Sequence, residues 1–126
     1  KDVPKTIQDL TGKIDALWAV ADSTVFSSQK SVEFILLHTL RTRTPFMGLS
    51  SLYVRAGAIL ALSCNYEDVG RQSGELAIRI LAGEAPSQIP ITVPQKISLS
   101  LNLRVAEQIG IKVPSHIIDK ADEVFK

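Results

Sequence analysis

The sequence predicts an α/β fold with a mainly parallel sheet flanked by helices, and three observations carry that expectation. Short apolar runs of strand length alternate with longer amphipathic runs of helical period. The run at residues 14–20 is almost continuously apolar, as a parallel strand covered on both faces would be. The breaks between runs hold capping and stop residues, Asp22-Ser23-Thr24 before one helix and Gly83 after another.

Each element follows from local chemistry. Asp2 can cap a short helix that tolerates Pro4 in its first turn and turns Ile7 and Leu10 inward, with Gly12 at its end. After the strand at 14–20, Asp22-Ser23-Thr24 supplies capping side chains for a helix from about 26 to 40. Val32, Ile35, Leu36 and Leu40 form its stripe, and Phe34 and Leu37 widen it towards a nearly surrounded helix. A short strand at 44–48 has Pro45 near its start, where the missing donor does least harm. A loop at 49–52 and one helical turn at 53–56 lead to a strand at 58–63.

The helix predicted over 68–82 turns Val69, Ser73, Leu76, Ala77, Ile80 and Leu81 inward and Arg71, Gln72, Glu75 and Arg79 outward. Glu75 stands four residues before Arg79, the favourable order. Gly83 suits the left-handed residue past the helix end. Pro86, Pro90 and Pro94 impose an extended connector. Residues 97–102 alternate apolar and polar, the pattern of a strand with one exposed face at a sheet edge. Asn102 can cap a helix reaching Ile109, Gly110 stops it, and Pro114 opens a last helix with Ile117, Ile118, Ala121 and Val124 inward.

Composition bounds the function. The 126 residues suffice for one domain with a real core, and 45% hydrophobic with 21% charged residues describe a globular chain. A net charge of +1 and the lack of a basic stripe with interleaved aromatics argue against nucleic acid. Arg41 and Arg43, alternating with Thr42 and Thr44, read as a solvated helix end. The single cysteine, Cys64, excludes an intramolecular disulfide and a thiolate metal cluster, and reads as an inert thiol. No apolar stretch reaches the roughly 18 residues of a membrane span, and Lys1-Asp2-Val3-Pro4 has no signal-peptide character.

Catalytic constellations are missing. The seven glycines are scattered as caps and turns, with no glycine-rich loop after a strand. His38 and His116 form no metal pair and sit in no nucleophile motif, so the chain reads as a non-enzyme without metal or cofactor. Asp22, Ser23 and Thr24 are the best candidate site, because ligands of open parallel sheets lie beyond the carboxyl ends of strands. A carboxylate there can hold a ligand ammonium, and the hydroxyls with a helix N-terminus can receive a carboxylate. The competing reading is that these side chains only cap the helix. Ser50, beside Ser51, follows the next strand with the same two readings. Tyr66 follows the third strand and can stack on a ligand or pack at a hinge. Trp18, within a strand, reads as core.

Several ordered segments carry a family resemblance. Ile14-Asp15-Ala16-Leu17-Trp18 followed by Asp22-Ser23-Thr24-Val25 resembles a signature of the substrate-binding proteins of ABC transporters, in the group of tryptophan- and tyrosine-type binders. Gly57-Ala58 and the run from Asn65-Tyr66 through Gly70-Arg71-Gln72 are similar to a second signature. Ile80 to Pro86, Ile89-Pro90, Leu101-Asn102, Ala106, Ile109-Gly110-Ile111, Val113-Pro114 and Ala121-Asp122-Glu123-Val124 continue it. The chain departs from the pattern at Ala21, where the family has proline, and at Ser23, where it has asparagine.

The resemblance implies part of a type I periplasmic binding protein fold, with incomplete lobes plus a crossover. Residues 1–126 would be the C-terminal portion of a two-lobed protein, about 1–56 from the second lobe and about 57–126 crossover and C-terminal part. Asp22, Ser23, Thr24 and Ser50 would lie on the second lobe's ligand rim, with Tyr66 at the crossover. The implied function is binding of a small, amino-acid-like ligand for ABC permease subunits, in the periplasm or on a cell-surface lipoprotein peripheral to the membrane. A ligand-sensing domain of a bacterial signalling protein is the alternative, and a flavodoxin-like enzyme or regulator the third reading. Missing neighbours would leave apolar surfaces uncovered, so the fragment is expected to self-associate.

Overall fold

The computed structural model describes residues 2–26 and 28–126. The chain divides into two compact units, Lys1–Leu62 with Leu99–Lys126, and Ser63–Ser98. One five-stranded sheet runs in the order β1 (Leu17–Trp18), β2 (Phe46–Gly48), β3 (Leu60–Cys64), β4 (Ile97–Asn102) and β5 (Glu123–Phe125). β1 with β2, β2 with β3, and β4 with β5 are parallel, aligning Trp18 with Met47, Met47 with Leu60, and Leu101 with Val124. Between β3 and β4 the Asn102 N–H donates to the Ile59 carbonyl and the Asn65 N–H to the Lys96 carbonyl. The partner number falls as the chain rises, so this pair is antiparallel.

The helices start where side chains satisfy their first amides. Asp2 accepts the Lys5 N–H to open α1 (Val3–Leu10), and Ser28 accepts the Ser31 N–H to open α2 (Gln29–Arg41). α3 (Ser51–Ala56) turns directly into β3 through Gly57, whose φ of 129° excludes side chains. Asn102 accepts the Val105 N–H at 2.9 Å and opens α5 (Leu103–Ile109), which Gly110 ends in the left-handed conformation. α6 (Ser115–Ile118) precedes β5.

The first core cluster of the larger unit joins Ile35 and Leu36 of α2 to Ala19, Phe46 and Ala61 of the strand segments, with Val54 and Ala58, and α1 adds Val3 and Ile7. A second cluster sets Val105, Ala106 and Ile109 against Ile59, with Leu40, Leu60 and Val113 packed on it. The smaller unit holds α4 (Tyr66–Leu81), a 3₁₀ turn at Pro86–Gln88 and the proline-spaced connector. Its one buried residue is Asp68, so it has no apolar core.

Several expectations are corrected. The helix expected from about 26 begins at Gln29, and residue 27 lies outside the described residues. It is covered on one side only, since Leu37 is exposed. Trp18 is not core: it is 69% exposed, because Leu17 and Ala19 take the covered side of β1 and Trp18 and Val20 take the other. β4 is internal, and its Ser100, Leu101 and Asn102 are all buried. The last helix stops at Ile118 and Val124 lies in a strand. Asp122 decides this: its N–H donates to the Leu99 carbonyl and its carboxylate accepts the Leu99 N–H at 2.8 Å, laying the tail along β4. On α4, Ala77, Ile80 and Leu81 are exposed, with Leu81 at 87%. Arg79 pairs with Glu84 and not with Glu75, which takes Arg71.

Gly48 is where β2 meets α3. A Cβ there would stand 2.4 Å from the Tyr53 Cβ and 3.3 Å from the Ala58 Cβ, and both neighbours are fixed near the backbone. Gly48→Ala should therefore destabilise the protein by about 1–3 kcal/mol, as overpacking does, measured as a lowered urea midpoint with an unchanged m-value.

Candidate functional site

The carboxyl ends of β1 and β2 lie side by side, and each is followed by a polar loop. After β1, one oxygen of Asp22 accepts the Thr24 N–H at 2.7 Å, the Val25 N–H at 3.0 Å and the Thr24 hydroxyl. Asp22 thus folds its own turn over Ser23–Val25, and it is Ser28 that caps α2. Asp22, Ser23 and Thr24 are all exposed. The turn is anchored through Phe26, whose ring meets Tyr53 of α3 edge-on with centroids 5.9 Å apart. Ser50 precedes α3 at the N-cap position and makes no capping hydrogen bond with its side chain. Asp22, Ser23 and Thr24 therefore lie in the loop after β1, and Ser50 in the loop after the neighbouring β2.

Tyr66 belongs to the smaller unit, where it is the first residue of α4 and is 80% exposed. Beside it lies a cluster that the sequence reading passed over. The Asp68 side chain is only 3% exposed and accepts from Arg71 at 2.7 Å and from Gln72 at 2.8 Å, with the Lys96 ammonium at 3.8 Å. Asn65, Glu67, Asp68, Arg71 and Lys96 line a polar cavity of about 350 Å³. The i to i+3 and i+4 spacing of Asp68 with Arg71 and Gln72 was the signal available in the sequence. The Arg71 hydrogen bond holds Asp68 below the ordinary carboxylate range, against the opposing effect of burial and with help from Gln72 and Lys96. Hydrogen bonding to Asp68 and Glu75 raises Arg71 in turn.

Among the described residues no group of three or more His, Cys, Asp or Glu is placed to hold a metal ion, and no helix is long and apolar enough to cross a membrane. The exposed turn with its carboxylate and hydroxyls suits hydrogen bonding to a small polar molecule.

Residues 1–125 match the family model described as ABC transporter substrate binding protein. The chain belongs to that family. A tyrosine-binding protein of Clostridioides difficile (strain R20291) is 30% identical over 101 residues, which is 80% of this family member and 28% of the relative. Among solved structures, a conserved domain protein from Vibrio cholerae O1 biovar eltor shares 30% identity and a TM-score of 0.74, covering 98% of this chain and 40% of that one. A ligand-free, open substrate binding protein with adhesive properties from Clostridium difficile shares 26% identity and a TM-score of 0.76, covering 99% and 41%. An ABC domain from Streptococcus pneumonia in complex with L-Trp has the same fold, with 22% identity and a TM-score of 0.74 over 98% of this chain and 42% of its own. The family member thus spans well under half the length of these relatives.

The depressed Asp68 value fixes the sign of one pH effect. Asp68 contributes stability above its unfolded pKa of about 3.9, and that contribution is lost as pH falls through the lower folded value. Asp68→Asn should be less stable than wild type at neutral pH and decline less steeply below about pH 4. Urea midpoints measured from pH 2 to 7 on both proteins check this.

Proposed function

We propose that this chain is the C-terminal portion of a two-lobed, extracytoplasmic solute-binding protein that takes a small amino-acid-like ligand and serves the permease subunits of an ABC transporter. The observation that carries the reading is that the loops holding Asp22, Ser23, Thr24 and Ser50 follow the carboxyl ends of adjacent parallel strands, in a chain of this family. The tyrosine-binding relative and the L-Trp complex of a structural neighbour support an amino acid as the ligand class.

In this reading Asp22 has two roles. It shapes the turn through its accepted hydrogen bonds and places a negative charge where a ligand ammonium docks. Ser23 and Ser50 offer hydroxyls to the ligand's polar groups. Tyr66, at the start of α4, has an exposed ring that can stack on a ligand. The departures at Ala21 and Ser23 fall on the rim, so the preferred amino acid is set by these positions together with the rest of the full-length protein.

Titration calorimetry with tyrosine, tryptophan and a panel of other amino acids tests the reading. The full-length protein should bind one of them, and Asp22→Asn should weaken it by about 10- to 100-fold, the worth of a charge-assisted hydrogen bond. Unchanged affinity in that variant would remove Asp22 from the site. The 126-residue chain alone should bind far more weakly, since such sites bury most of the ligand between walls. Its exposed Trp18, Val20, Ile80 and Leu81 should also drive self-association, and a purely monomeric sedimentation profile at high concentration would contradict this.

A further inference from the structure

Within the larger unit, the turn after β1 and the loop after β2 are each closed by an aromatic residue, and the two rings touch. Phe26 closes the Asp22 turn, since its N–H donates to the Asp22 carbonyl at 3.1 Å. Tyr53 closes the other loop: its N–H donates to the Ser50 carbonyl at 3.0 Å, and its carbonyl accepts the Ala58 N–H at 2.9 Å. The rings meet edge-on, at 86° with centroids 5.9 Å apart, and both pack on the first core cluster beside Val25 and Leu49. Tyr53 is also pressed against β2, where a Cβ on Gly48 would stand only 2.4 Å from its own Cβ.

The hydrogen bonds from the Thr24 and Val25 N–H groups to Asp22 set the shape of the turn, and they run within it. The ring pair runs between the loops. We propose that Phe26 and Tyr53 are positioning residues whose ring pair latches the Asp22–Thr24 turn to the Ser50 loop, so that the polar groups of both loops meet a ligand in one fixed arrangement. An edge-on pair has a preferred angle and separation, so it holds two loops in register where flexible side chains would let them slide. Binding groups held in place beforehand lose less freedom when a ligand arrives, and the saving appears as affinity. The link to affinity rests on the function proposed above, whereas the latch itself does not.

Hydrogen exchange resolved by residue on the 126-residue chain tests the latch. Tyr53→Leu should speed exchange of the Thr24 and Val25 amides, on the other loop, about two- to tenfold, the worth of an edge-on ring pair. Tyr53→Phe keeps the ring and should leave them as protected as in wild type. Phe26→Leu should in turn speed exchange at Tyr53 by a similar factor, and it decides the matter where Tyr53→Leu fails to fold. Unchanged exchange on the opposite loop would overturn the latch. So would equal loosening of the Ile35, Ala61 and Leu101 amides, the mark of lost packing alone. Calorimetry on the full-length protein with L-tyrosine and L-tryptophan reads the consequence. Each leucine variant should weaken binding about two- to tenfold, and the double variant no more than the worse single one, because the rings act as a pair. Additive losses, or unchanged affinities, would overturn the positioning role. Failure of the wild type to bind either amino acid would count against the function proposed above, and the exchange result would still decide the latch.

Discussion

The larger unit depends on the side chain of Asn102. It is 7% exposed and satisfies three groups from three elements: the Val54 carbonyl at the end of α3, the Val105 N–H at the start of α5 and, through its own backbone, the Ile59 carbonyl before β3. Its side-chain amide donates with the nitrogen and accepts with the oxygen at once. An apolar replacement would leave the Val54 carbonyl and the Val105 N–H short of partners in the interior, at about 1–3 kcal/mol each. Asn102 also stands opposite Phe125 of β5, whose ring lies under the Arg55 guanidinium at 5.8 Å. α3, the start of β3, β4 and α5 are thus tied to one residue.

What could be read in the sequence was what is decided locally. Asp2, Gly83 and Gly110 act within three or four residues of themselves, as does Asn102 in capping α5, and the residue types announce these roles. β5 was hidden because Ile117, Ile118, Ala121 and Val124 fit a helical period equally well, and the choice is made by Asp122 reaching Leu99 across the fold. The site shows the same division. Its placement at strand ends follows from an alternating α/β pattern, whereas the turn-holding use of Asp22 and the burial of Asp68 depend on atoms that periodicity does not describe. Trp18 and the apolar stripe of α4 looked like core because an apolar pattern marks a face that wants cover, and cover is a property of the neighbours.

The two units are held together internally by different forces. The larger one rests on apolar packing around Ile35 and Val54, both fully enclosed. The smaller one rests on the charged cluster around Asp68 and on helix α4 with its capped ends, while Leu81, Ile91 and Val93 stay in water. Ion pairs and caps contribute little compared with a packed apolar core, so the smaller unit has little stability of its own.

The discontinuous make-up of the larger unit also sets an order on synthesis. Lys1–Leu62 leave the ribosome before Ser63–Ser98, and Leu99–Lys126 follow only after both. Until then the nascent chain carries β3 with a bare flank, and the carbonyls of Val54 and Ile59 await a residue not yet made. An open strand edge is a template for wrong pairing. The arrival of β4, with Asn102 at its end, closes that edge, so the sheet is completed only once the segment that follows the smaller unit has emerged.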